Sequence, residues 1–109
     1  MAFGFPAYHQ EKIDLGIPQN KIFSFLEPII GSFSWSILES TENELLARTK
    51  DRLLSEHIEY VRITILPSGS IQVRSECEYF MTCFDWGRNR KNVRRLQSAI
   101  HGTLSQMRE

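Results

Sequence analysis

Two stretches of helical periodicity bracket a longer run of strand-like alternation, and neither helix can bury its own apolar stripe. In the first, Ile22, Leu26, Ile29, Ile30 and Phe33 fall at i, i+4, i+7, i+8 and i+11. In the second, Val93, Leu96, Ile100, Leu104 and Met107 fall at i, i+3, i+7, i+11 and i+14. That spacing places the apolar residues on one side of each helix. Two stripes in a chain of 109 residues need a shared partner surface, and the segments between them must supply it.

The first helix is predicted over residues 18–30. Pro18 suits its first turn, where the missing N–H is no loss. Pro28 removes the bond to the carbonyl of Ser24 and is expected to kink the helix or end its regular part, with Gly31 as the stop. The second helix is predicted over 88–107, capped by Asn89 or Asp85. Gly102 inside it implies close backbone packing.

Strand alternation fills the rest. Residues 10–16 form a short strand, with Ile13 and Leu15 alternating against Lys12 and Asp14. Residues 33–41 and 44–50 are joined at Glu42-Asn43, where Asn tolerates a left-handed conformation. Residues 57–66 and 70–80 flank Pro67-Ser68-Gly69, the strongest hairpin signal in the chain. Residues 51–56 read as a loop. The order β-α-β-β-β-β-α implies an α+β domain of two layers: an antiparallel sheet of about five strands with both helices on one face. Val61, Ile63, Ile65, Ile71, Val73, Cys77, Tyr79, Trp35, Ile37, Leu45, Ala47 and Thr49 are expected to face the helices.

One domain accounts for the length, since two cores would each fall near the limit for independent folding. Hydrophobic residues make up 41% and charged residues 24%, ordinary globular usage that excludes disordered and low-complexity classes. No apolar run approaches the roughly 20 residues of a spanning helix. The start, residues 1–9, is an aromatic arm with Phe3, Phe5 and Tyr8, and it is not a secretory signal. The cytoplasm is the expected compartment. Cys77 and Cys83 are there expected to stay free thiols. No CxxC or HxxxH spacing is present, so no metal or other cofactor is expected. No nucleophile elbow, phosphate loop or zincin motif marks an enzyme.

Two surfaces remain as candidate sites. Alternation puts Arg48, Tyr60, Arg62 and Arg74 on the sheet face away from the helices, with the three arginines in one row if register allows. Mixed charges there suit solvated cross-strand pairs, and Arg with Tyr also suits a protein or dimer interface. The second surface opens the last helix: Arg88, Arg90, Lys91, Arg94 and Arg95 are five cations in eight positions. Overall the chain has 13 basic and 13 acidic residues, but the neutral total hides an asymmetry. Residues 88–109 hold six cations and one acid, a net +5; residues 1–87 hold seven and twelve, a net −5. Cations at a helix start oppose the helix dipole, so an internal acidic partner or an external anion is expected to compensate. Asp85, Trp86 and Gly87 just before them read as a structural turn.

The element order resembles one repeat of the TATA-binding-protein-like fold. The residues Ser75-Glu76-Cys77, followed by Asp85-Trp86-Gly87-Arg88-Asn89-Arg90-Lys91-Asn92, also resemble a signature of a family of small bacterial domains with no established activity. What this implies is the fold alone. The leading functional expectation is a non-enzymatic interaction module that binds a protein, its own copy included. The alternatives are a phosphate or nucleic-acid binder through the basic helix start, and a small-ligand carrier or enzyme with a pocket between helices and sheet.

Overall fold

A computed structural model describes residues 8–49, 59–77 and 88–107, without the side chains of Cys77 and Arg88. The elements are β1 (Tyr8–Asp14), α1 (Gln19–Ser32), β2 (Ser36–Ser40), β3 (Glu44–Arg48), β4 (Glu59–Ile65), β5 (Ser70–Cys77) and α2 (Arg88–Met107). The five strands form one antiparallel sheet in the order β1-β5-β4-β3-β2. The chain therefore starts on one edge, crosses to the other through α1, and returns by three successive hairpins. That path forces α1 across the sheet, where its stripe meets the face that alternation makes apolar.

Ile22, Leu26, Ile29 and Ile30 of α1 share one core with Leu45, Ala47, Val61, Ile63, Ile71 and Val73 of the sheet. Val93, Leu96 and Ile100 of α2 complete it, and α2 lies along β1 and β5 beside α1. Each fully buried branched side chain contributes about 1.5–3 kcal/mol relative to exposure. Among the described residues, two that were expected on the inward faces stay outside: Met107, 62% exposed at the end of α2, and Ile37. Ile37 has the right parity, opposite Ala47, but remains 38% exposed. It sits on the edge strand β2, where the register shifts between Ile37 and Glu39.

The turns show what the sequence pattern left open. α1 continues through both Pro28 and Gly31 to Ser32, so Pro28 does not end it and Gly31 is not its stop. Ser24, Glu27 and Pro28 lie on the solvent-exposed side of α1, where a missing backbone donor costs least. The left-handed residue after the helix is Ser34, with φ 63°, its N–H donating to the Gly31 carbonyl at 3.0 Å. In the β2–β3 turn Asn43 does not adopt positive φ. Instead the Thr41 hydroxyl accepts the N–H groups of Asn43 and Glu44 at 3.3 and 3.1 Å. At the β4–β5 turn, Leu66 N–H donates to the Ser70 carbonyl at 2.9 Å. β1 begins at Tyr8, so Tyr8 and His9 belong to the sheet rather than to an arm; the rest of the arm lies outside the described residues.

Gly102 is a second correction. Among the described residues an added Cβ there meets nothing within 4 Å, so none of them explains it by close packing. Gly102→Ala is expected to stabilise the protein by about 1 kcal/mol through helix propensity alone. A thermal scan should show a rise of about 4–8 °C. An unchanged or lower midpoint would mean that something touches this position.

Candidate functional site

Three residues of the resembled signature, Ser75, Asn89 and Asn92, converge in the interior. Ser75 on β5 points to the helix side and is fully buried. Its hydroxyl donates to Asn89 Oδ1 at 2.8 Å and accepts from Asn92 Nδ2 at 3.1 Å. The same Asn92 amide donates to Glu59 Oε1 at 3.1 Å. Glu59, first residue of β4, is 3% exposed. Its N–H donates to Thr49 Oγ1 at 3.0 Å, and the Thr49 N–H donates to the Glu59 carbonyl at 2.9 Å. A polar seam thus runs Asn89–Ser75–Asn92–Glu59–Thr49, binding the ends of β3 and β4, the last turn of β5 and the first turns of α2. A buried carboxylate is tolerated only when donors surround it, and these side chains supply them.

Glu59 is not singled out by the sequence, and Ser75 only as part of the resembled signature, although parity signals both. Glu59 shares the parity of Val61, Ile63 and Ile65, and Ser75 that of Ile71 and Val73. Asn89 and Asn92 lie on the same side of α2 as Val93 and Leu96. Asn89 is therefore no N-cap: it lies inside α2 and takes the Ser75 hydroxyl. Asp85, Trp86, Gly87 and Cys83 lie outside the described residues.

On the free sheet face, register corrects the expected row of arginines. Arg62 stands directly opposite Arg74, whereas Arg48 lies one step along, opposite Tyr60. Like charges placed opposite repel, and each guanidinium turns to a carboxylate instead. Arg62 pairs with Glu44. Arg74 pairs with Glu76 at 3.5 Å, reaches Gln10 at 3.4 Å and stacks 4.0 Å above the Tyr8 ring. The face is a connected set of half-buried polar and aromatic side chains.

The basic start of α2 is different. Arg94 pairs with Glu11 of β1 at 2.8 Å, and Arg95 lies 4.3 Å over the Phe33 ring. Arg90 and Lys91 are exposed, with no partner among the described residues. Glu11 also accepts from His9 at 2.7 Å. The His9 hydrogen bond and then the Arg94 pair hold its carboxyl below the usual glutamate range, against the opposing effect of burial. A depressed folded pKa contributes stability above the unfolded value, lost as pH falls through the folded one. Glu11→Gln is expected to flatten this acid limb and to cost about 1 kcal/mol or less at neutral pH. Urea midpoints at neutral and acidic pH test it; an unchanged acid limb would show that Glu11 does not contribute to it.

An open cleft of about 650 Å³ lies between the start of α1 and the β2–β3 turn, lined by Gln19, Asn20, Phe23 and residues 40–43. It is not between the helices and the sheet. Among the described residues no cluster of His, Cys, Asp and Glu could hold a metal ion, and no helix is long and apolar enough to cross a membrane. No protein-family model and no curated protein matches the chain.

Proposed function

We propose that this chain is a non-catalytic binding module that docks a protein on the sheet face opposite the helices, a second copy being the first partner to test. One observation carries the reading: Arg62, Arg74 and Tyr8 are already held in place by internal pairs and a stack. Preordered Arg and Tyr side chains lose little freedom on binding, and these residue types dominate interface energetics. Two of the three arginines on this face are also paired with acids. Arg62 and Arg74 are offset by Glu44 and Glu76, which suits a protein surface better than a polyanion.

The test is molar mass by light scattering over a wide concentration range, for the native chain and for Arg62→Ala/Arg74→Ala. The expected result is a concentration-dependent rise above the 12.7 kDa monomer that the double variant suppresses. A monomer at every concentration removes the second copy as partner. A dimer indifferent to both changes moves the interface elsewhere.

A further inference from the structure

The cations of α2 are the largest electrostatic imbalance in the molecule, and the sheet-face reading does not use them. α2 contains Arg88, Arg90, Lys91, Arg94 and Arg95 and no acidic residue in its twenty positions. Val93, Leu96 and Ile100 bury the inner face of the helix, which turns Arg90, Lys91, Arg94 and Arg95 outward. Arg90 and Arg94 are one like-charged i,i+4 pair, and Lys91 and Arg95 are another. Such pairs destabilise a helix, and the positive end of the dipole adds to the penalty.

Internal compensation is incomplete. Glu11 is shared between Arg94 and His9, and the Arg94 side chain remains 55% exposed. Arg95 rests on an aromatic ring rather than a carboxylate. Arg90 and Lys91 are left to solvent. Successive cations in each pair are separated by about 6 Å along the axis, comparable to the distance between neighbouring phosphates on a strand.

We propose that the outward face of α2, through Arg90, Lys91, Arg94 and Arg95, binds the phosphodiester backbone of a nucleic acid. A membrane surface fits less well. An interfacial helix needs a free apolar side, and that of α2 is buried in the core. Among the described residues the exposed large hydrophobic ones are Tyr8, Ile37, Leu38 and, at the far end of α2, Met107. Recognition here is by charge and spacing, so base sequence has little effect.

The experiment is fluorescence anisotropy of labelled single-stranded and duplex oligonucleotides with the full chain, alongside sedimentation with phosphatidylserine-containing vesicles. Four phosphate contacts predict an affinity loss of about 100-fold between roughly 50 and 200 mM salt. Arg90→Glu/Lys91→Glu is expected to weaken binding by about tenfold or more. Lys21→Glu, an exposed reversal on α1, should leave it nearly unchanged. The double variant places acids where the dipole favours them, so its melting temperature should hold or rise. That separates a binding role from a packing role, which would lower it. No binding at low salt, binding indifferent to the double change, or binding confined to vesicles would each overturn the proposal.

Discussion

Asn92→Asp is expected to be among the most damaging conservative changes in the protein. The substitution is nearly isosteric, but it removes the amide that donates to both Glu59 Oε1 and Ser75 Oγ. It also sets a second carboxylate against one that is 3% exposed. Leaving a buried charge uncompensated costs about 3–5 kcal/mol. A domain of this size has about 5–15 kcal/mol in all. Asn92→Ala, which loses the donor without adding charge, should cost about 1–3 kcal/mol. The two carboxylates also fix the pH dependence. Their mutual repulsion raises the folded pKa of the pair, so the folded state keeps a proton that the unfolded chain releases. The penalty of Asn92→Asp should therefore be full above the folded pKa and ease as pH falls. Denaturant unfolding of both variants at neutral and mildly acidic pH measures this. Equal losses, independent of pH, would mean that Asn92 acts only through shape.

Gly69→Ala should be similarly costly for a steric reason. Gly69 has φ 82°, and a Cβ there would lie 2.8 Å from the carbonyl oxygen of Ile17. That oxygen is backbone, in the connection between β1 and α1, so it cannot swing aside. The Gly69 carbonyl also accepts the N–H groups of Leu15 and Gly16 at 3.2 and 3.3 Å. Relieving the clash would disturb the contact that joins the β4–β5 turn to the first edge of the sheet. The left-handed conformation alone costs Ala about 1–2 kcal/mol. With the clash the loss should reach about 2–4 kcal/mol. Gly16→Ala is the internal control: φ is 72°, but nothing lies within 4 Å of the added atom. It should lose only the conformational part. If the two variants shift the urea midpoint equally, the approach to Ile17 is not limiting.

Much of the architecture was legible because period is a local property. The order of elements, the strand alternation of Val61–Ile65 and Ile71–Val73, and the inward stripe of α2 each follow from spacing between neighbours. The Pro67-Ser68-Gly69 turn was legible because each residue limits its own backbone. The exceptions involve partners or solvent. Pro28 stays within a helix on its solvent-exposed side, where a missing donor costs least. Gly31 lies inside the helix while Ser34 takes the left-handed position.

The candidate surfaces divide in the same way. Parity was enough to place Arg48, Tyr60, Arg62 and Arg74 on one face, and composition was enough to locate a net positive last helix. Register was not legible, because a strand does not encode which rung of its neighbour it meets. Only the paired sheet sets Arg62 opposite Arg74 and moves Arg48 one step along. The polar seam needed still more. Glu59, Ser75, Asn89 and Asn92 come from β4, β5 and α2, and Thr49 follows β3; parity turns them inward but does not say which meets which. The sequence by itself determined the elements, their apolar faces and the charge of the last helix, because these depend on residues a few positions apart. Tertiary structure alone decided which polar groups satisfy one another inside and which cations stay outside, because those contacts join residues up to 83 positions apart in the chain.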